Sequence, residues 1–270
     1  MYGCVGGERH RLCQRPCSGA ALQSGSPAAS APALAALAKE DVPAWRATLL
    51  ELLAPRASEP AVRSVLEAGL HAADPLERAA AVRGLGRISD SAPLLRPLLQ
   101  DPVRLVRIDA AWALSTELPE GSPQRVELDS YLRLGLDQPS GLARLGMDLA
   151  NRGRLDGAMV NLERASIRDS RDSELNLLIA QILVRQGKTA EAAERYLRAA
   201  QNRPDDAESA YRAALTFADA GLNSEAEKAM RLCLQRDPAR HRAWYNLGLL
   251  LVKRGMIEEA LEALSCAEQI

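Results

Sequence analysis

The second half of the chain repeats itself every 34 residues without an insertion, and few sequence features restrict a fold so tightly. Glycines recur at Gly153, Gly187, Gly221 and Gly255, and alanines follow at Ala158, Ala192, Ala226 and Ala260. Larger apolar residues stand four places further on, at Leu162, Tyr196, Met230 and Leu264, and small ones three beyond those, at Ala165, Ala199, Cys233 and Ala267. Pro204 and Pro238 close two copies, with Ser170 in the equivalent place. The pattern reads as four pairs of antiparallel helices. The first helices are expected over Gly141–Arg152, Glu174–Arg185, Glu208–Asp219 and Arg242–Arg254. Each ends at its glycine, because a left-handed cap costs least without a side chain. The second helix of each pair starts two or three residues later and stops near the proline, which cannot continue a helix. Small residues at Gly248 and Ala260 let two backbones approach closely. One such pair cannot bury its apolar face alone, so the pairs must stack.

Residues 43–137 are helical with a different rhythm. Pro43–Leu53, Asp74–Leu85 and Asp101–Leu114 are expected as helices, with intervening ones over Glu59–His71 and Ala92–Leu99. Two of them open on Asp-Pro, where Asp caps free amides and Pro suits the first helical position. Arg46, Arg78 and Arg107 hold equivalent places, each ahead of an Ala/Leu-rich stripe. Gly121-Ser122-Pro123 then breaks the chain before a helix from Gln124 to Leu136. Composition agrees with helices throughout. Aromatic residues make up 3% of the 270 and include one Phe, which argues against a sheet-built core.

The last repeat, Trp244-x2-Leu247-Gly248-x2-Leu251 followed by Ala260-x3-Leu264, resembles the tetratricopeptide repeat family. The resemblance covers residues 139–270 as four repeats: 139–172, 173–206, 207–240 and 241–270. The middle copies depart from it. Asn176 and Ala210 replace a large aromatic residue and Ala213 a leucine, which predicts looser packing there. Residues 33–120, with their D-P-x-V-R type of pattern, resemble HEAT repeats, and residues 121–138 supply a bridging helix. Together the resemblances imply an all-α fold, a right-handed alpha-alpha superhelix of HEAT-like repeats followed by a tetratricopeptide solenoid. This order of units is also similar to the C-terminal solenoid region of bacterial multihaem c-type cytochromes. That likeness implies an alternative role, as an accessory or truncated part of such a redox protein. The chain has no C-x-x-C-H haem motif of its own.

Residues 1–32 have no helical period and read as a disordered leader and linker. Cys4, His10, Cys13 and Cys17 form C-x5-H-x2-C-x3-C, a conceivable zinc set whose spacing matches no usual knuckle. Cys233 and Cys266 fall at small-residue helix positions and read as buried thiols. Glu8 to Arg11 stand where the apolar core of a signal peptide would be, so a cytoplasmic location is the default, or a periplasmic one if the native start lies upstream. No catalytic constellation, phosphate-cradling loop or metalloprotease motif occurs in the sequence, so neither an enzyme nor a cofactor is expected. A formal charge of −1, with Arg interleaved among Asp and Glu, excludes strong long-range attraction to nucleic acid. No apolar run approaches the ~20 residues of a membrane span.

Binding remains. The resemblance implies that successive first helices line a concave face holding a peptide or protein. Gln181, Arg185, Tyr211, Arg212, Tyr245, Asn246 and Lys253 fall on that face, and Tyr and Arg are the types that anchor interfaces. Tyr211 and Tyr245 could equally fill space between repeats. Arg212 suits the family's clamp for a terminal carboxylate, but Glu208, Ala143 and Leu177 occupy the places of its basic partners and argue against that clamp. The uncapped last repeat predicts docking or self-association through that end.

Overall fold

The structure, a computed structural model, describes residues 30–269. It parts into two compact units, dividing between Tyr131 and Leu132. Both are all-α, and no strand occurs among the described residues.

The first unit contains α1 (Ser30–Leu37), α2 (Pro43–Leu53), α3 (Pro60–Gly69), α4 (Pro75–Leu85), α5 (Ala92–Leu95), α6 (Arg104–Ala113) and α7 (Pro123–Leu132). Asp74 caps α4 as expected, its carboxylate accepting from the Leu76 amide at 2.8 Å. Three elements are shorter than their sequence patterns. Pro97 lacks an amide hydrogen, and the segment after α5 tightens into a 3-10 turn over Arg96–Gln100. The helix expected from Asp101 begins only at Arg104, because Asp101 is extended and holds the Val103 amide at 2.8 Å. The helix expected to reach Leu136 closes at Leu132 and is followed by a turn with Gly135 at φ +73°.

The three equivalent arginines form a staircase. Arg46 donates from Nε to Glu77 at 2.8 Å and from Nη1 to the carbonyls of Leu37 and Glu40. Arg78 grips both oxygens of Asp101, at 2.8 and 3.0 Å, and its Nη1 bonds the carbonyls of Ala72 and Ala73. Arg107 grips both oxygens of Glu127, at 2.9 and 2.8 Å, and its Nη1 bonds the carbonyls of Asp101 and Pro102. Each guanidinium therefore ties its own inlet loop to an acid further along the chain, and Arg78 and Arg107 do so in the forked geometry that favours Arg over Lys. The Arg78 bond holds the Asp101 carboxyl below its usual range, aided by the Val103 amide and opposed by burial. Arg107 does the same to Glu127.

The second unit is four helical hairpins: α8 (Pro139–Asn151) with α9 (Leu155–Arg168), α10 (Ser173–Arg185) with α11 (Thr189–Asn202), α12 (Ala207–Asp219) with α13 (Asn223–Arg236), and α14 (His241–Lys253) with α15 (Ile257–Gln269). Helices pack in chain order, as in an all-α superhelix. The expected boundaries hold to within a residue or two. At every hairpin the glycine is left-handed, Gly187 at φ +77° for instance, and its amide reaches the carbonyl three residues back at 3.0 Å. The next amide reaches five back: Arg154 to Leu149, Lys188 to Leu183, Leu222 to Phe217 and Met256 to Leu251, at 2.8–2.9 Å. This is the Schellman closure, repeated four times. A side chain at Gly187 meets open space, so its cost is backbone strain alone. Gly187→Ala should destabilise the protein by about 1 kcal/mol in urea unfolding followed by circular dichroism. An unchanged midpoint would show that the left-handed cap is not needed.

The small residues work as expected: a Cβ on Gly248 would lie 2.6 Å from Leu264 Cγ. The middle repeats are closed to solvent at the substituted positions. Ala210 and Ala213 are wholly buried in one apolar cluster running from Ala180 to Ala263, with Tyr196, Phe217 and Met230 supplying its bulk. Asn176 is buried too, donating to the Asp172 carbonyl at 2.8 Å.

Candidate functional site

The site follows from helical spacing on α14. Ala243, Leu247, Gly248, Leu250 and Leu251 are buried, while Arg242, Tyr245, Leu249, Val252 and Lys253 are exposed along the opposite stripe, with Asn246 half-buried among them. Steps of three and four residues keep such a stripe on one face. The same register on α12 exposes Glu208, Arg212, Leu215 and Asp219, and on α10 Gln181, Val184 and Arg185. These faces adjoin. Asn246 Nδ2 on α14 donates to Tyr211 Oη on α12 at 2.8 Å.

The structure separates the two tyrosines that sequence left equivalent. Tyr211 is half-buried, bonded by Asn246, and covered by the Arg240 guanidinium 4.4 Å from its ring centroid, a cation–π contact. It fixes the spacing of neighbouring helices. Tyr245 is 53% exposed and presents its ring to solvent. Arg212 donates to Glu208 at 2.9 Å, and Arg240 bonds the other oxygen of the same carboxylate. Burial works to raise the Glu208 pKa, but the hydrogen bonds and positive charges of Arg212 and Arg240 together outweigh it and hold the group below the usual range. Arg185 reaches back to the Ala150 carbonyl at 2.9 Å, capping α8. Gln181 and Lys253 are exposed.

Sequence reasoning missed the apolar part of this wall. Val184, Leu215, Leu249 and Val252 are 37–48% exposed and sit on the same stripes. The available signal was register. Leu215 and Leu249 are one repeat apart, and Val184 and Val252 two apart. Arg240 was also missed. It occupies the helix-start place where Asp172 and Asp206 cap the two preceding repeats. Losing the cap there gains the bridge to Glu208 and Tyr211.

Cys233 is buried, which pushes its thiol pKa up despite Arg240 nearby. Cys4, His10, Cys13 and Cys17 lie outside the described residues, as does the rest of the expected leader before Ser30. Among the described residues no three His, Cys, Asp or Glu side chains are grouped to hold a metal, and no helix is long and apolar enough to cross a membrane.

Family comparison bears on the repeats directly. A HEAT-repeat model matches residues 64–128, and two tetratricopeptide-repeat models match residues 149–216 and 211–269. Residues 149–269 of the chain are tetratricopeptide repeats. HEAT repeats precede its tetratricopeptide array. No curated protein matches the chain. Similar solved structures include YrrB, a TPR protein with an unusual peptide-binding site, at 20% identity over 65% of this chain and 91% of that one, with a TM-score of 0.47. The MamA 41-end structure from Desulfovibrio magneticus RS-1 is 18% identical over 67% of this chain and 94% of that one, with a TM-score of 0.44. Tetratricopeptide repeats support a role as a protein-interaction scaffold.

Proposed function

We propose that this protein is a non-enzymatic scaffold that holds a segment of a partner protein against the exposed faces of α10, α12 and α14. The observation that carries the reading is the exposure of Leu215, Tyr245, Leu249 and Val252 on the faces of α12 and α14, which touch through Asn246 and Tyr211, with Val184 exposed in the same register on α10. Scattered single apolar residues on a surface need no explanation, whereas several that recur at repeat spacing do. The mechanism is preorganisation. The helices are already fixed by buried alanines behind them, so binding spends little entropy on ordering this side of the interface.

The wall variant Tyr245→Ala with Leu249→Ser removes the largest exposed area without touching the buried face. Ile167→Ser removes an apolar residue that is 83% exposed on α9, outside the wall. Affinity capture with quantitative mass spectrometry should show partners depleted roughly tenfold or more by the wall variant and retained by the Ile167 variant. Equal capture by both, with helicity intact, would remove the wall from the account.

A further inference from the structure

The wall carries a charge bias that the chain as a whole does not. On α10 and α12, Glu174 is neutralised by Arg203 and Glu208 is shared by Arg212 and Arg240, leaving one guanidinium in surplus. Among the described residues, Arg242 and Lys253 form no ion pair, and Arg185 bonds only a backbone carbonyl. Against these stands one unpaired wall carboxylate, Asp219. The formal charge of the chain is −1, so this positive excess is local.

Its placement is ordered. On α14 the cations stand at the two ends of the stripe, Arg242 in the first turn and Lys253 in the last. Tyr245, Leu249 and Val252 occupy the space between. Eleven residues of helix span about 16 Å, the reach of roughly five residues of extended chain. Charges flanking an exposed apolar strip contribute to selectivity and encounter rate more than to raw affinity, and here they favour one sign at both ends.

We propose that the wall selects a peptide segment of a partner protein in which a short apolar run is bounded by carboxylates, the run lying on Tyr245, Leu249 and Val252 and the acids meeting Arg242 and Lys253. This rests on the wall being the binding face. The basic end groups distinguish it from a general apolar groove, which would accept a lysine-flanked run equally well.

The test uses the full chain and three fluorescent peptides of equal length. All share one leucine/alanine core and are flanked by glutamate, serine or lysine. Fluorescence anisotropy at low salt should rank them glutamate, serine, lysine, with at least about tenfold between first and last, and the gap should narrow at high salt. Arg242→Glu with Lys253→Glu should reverse the order while helicity is kept. Three equal affinities, no binding by any peptide, or a preference that survives the reversal would each overturn the proposal. If the three bind equally and Tyr245→Ala with Leu249→Ser abolishes binding, the wall still binds and only its acid selectivity is lost. If binding ignores that wall variant, the wall reading fails as well.

Discussion

Replacing Arg78 with methionine should lower the stability of the protein by about 2–3 kcal/mol, because it leaves the Asp101 carboxylate without its forked partner. Both groups are largely shielded, with the side chain of Arg78 13% exposed and that of Asp101 5%. Methionine keeps much of the packed stem and removes five donors. The control is Arg96→Met, whose pair with Glu117 lies in solvent and should matter by less than about 0.5 kcal/mol. Acid titration checks the same contact. The Asp101 carboxyl titrates lower in the folded protein than in the unfolded chain, so its contribution is complete above the ordinary carboxylate range. It is lost as pH falls through the depressed value. Urea midpoints between neutral and acid pH should therefore fall less steeply in Arg78→Met than in the parent. Part of the slope should remain, since the Val103 amide and Arg107 still favour the ionised Asp101. Parallel slopes, or a loss no larger than that of Arg96→Met, would show that the staircase is decoration.

Leu162→Ala should cost about 3 kcal/mol, the usual range for opening a cavity at a fully buried leucine. Leu162 fills the space that a side chain on Gly146 would occupy, 2.7 Å from an added Cβ, so the backbones of α8 and α9 are already close and cannot collapse much further. The damage should be local. In an array where each hairpin meets only its neighbours, amide exchange should accelerate first in α8, α9 and α10 and least in α14 and α15. Uniform acceleration would mean that the unit behaves as one cooperative globule rather than a stack.

The fold of the second unit was legible because its constraint is backbone geometry. A left-handed residue after every first helix demands glycine, and four glycines at one spacing announce four hairpins. The first unit was legible in outline through its Asp-Pro openings and its three equivalent arginines. What those arginines do was hidden, because their acids lie 31, 23 and 20 residues away with no common spacing. A related limit applies at Asn176, Ala210 and Ala213. Side-chain size at one position says nothing of which neighbours share the space, and here Phe217, Tyr196 and Met230 belong to the cluster that buries Ala210 and Ala213.

The candidate wall was half legible. Polar positions such as Gln181, Arg185 and Lys253 stood out because a polar residue inside an apolar repeat has to face solvent. Leu215 and Leu249 did not, since a leucine in a helix reads as core until the opposite face is shown to be full. Arg240 was invisible because its role replaces a cap with a bridge across two repeats. Tyr211 and Tyr245 occupy one register, yet only Tyr211 is closed over by Asn246 and Arg240.

The central claim is that partners meet this protein on the wall formed by α10, α12 and α14. Site-specific photo-crosslinking in the native cell tests it most directly, with the crosslinker placed at Tyr245 in one version and at Ile167 in another. The account predicts a discrete protein adduct from Tyr245 and none from Ile167. Adducts from Ile167 with none from Tyr245 would contradict it.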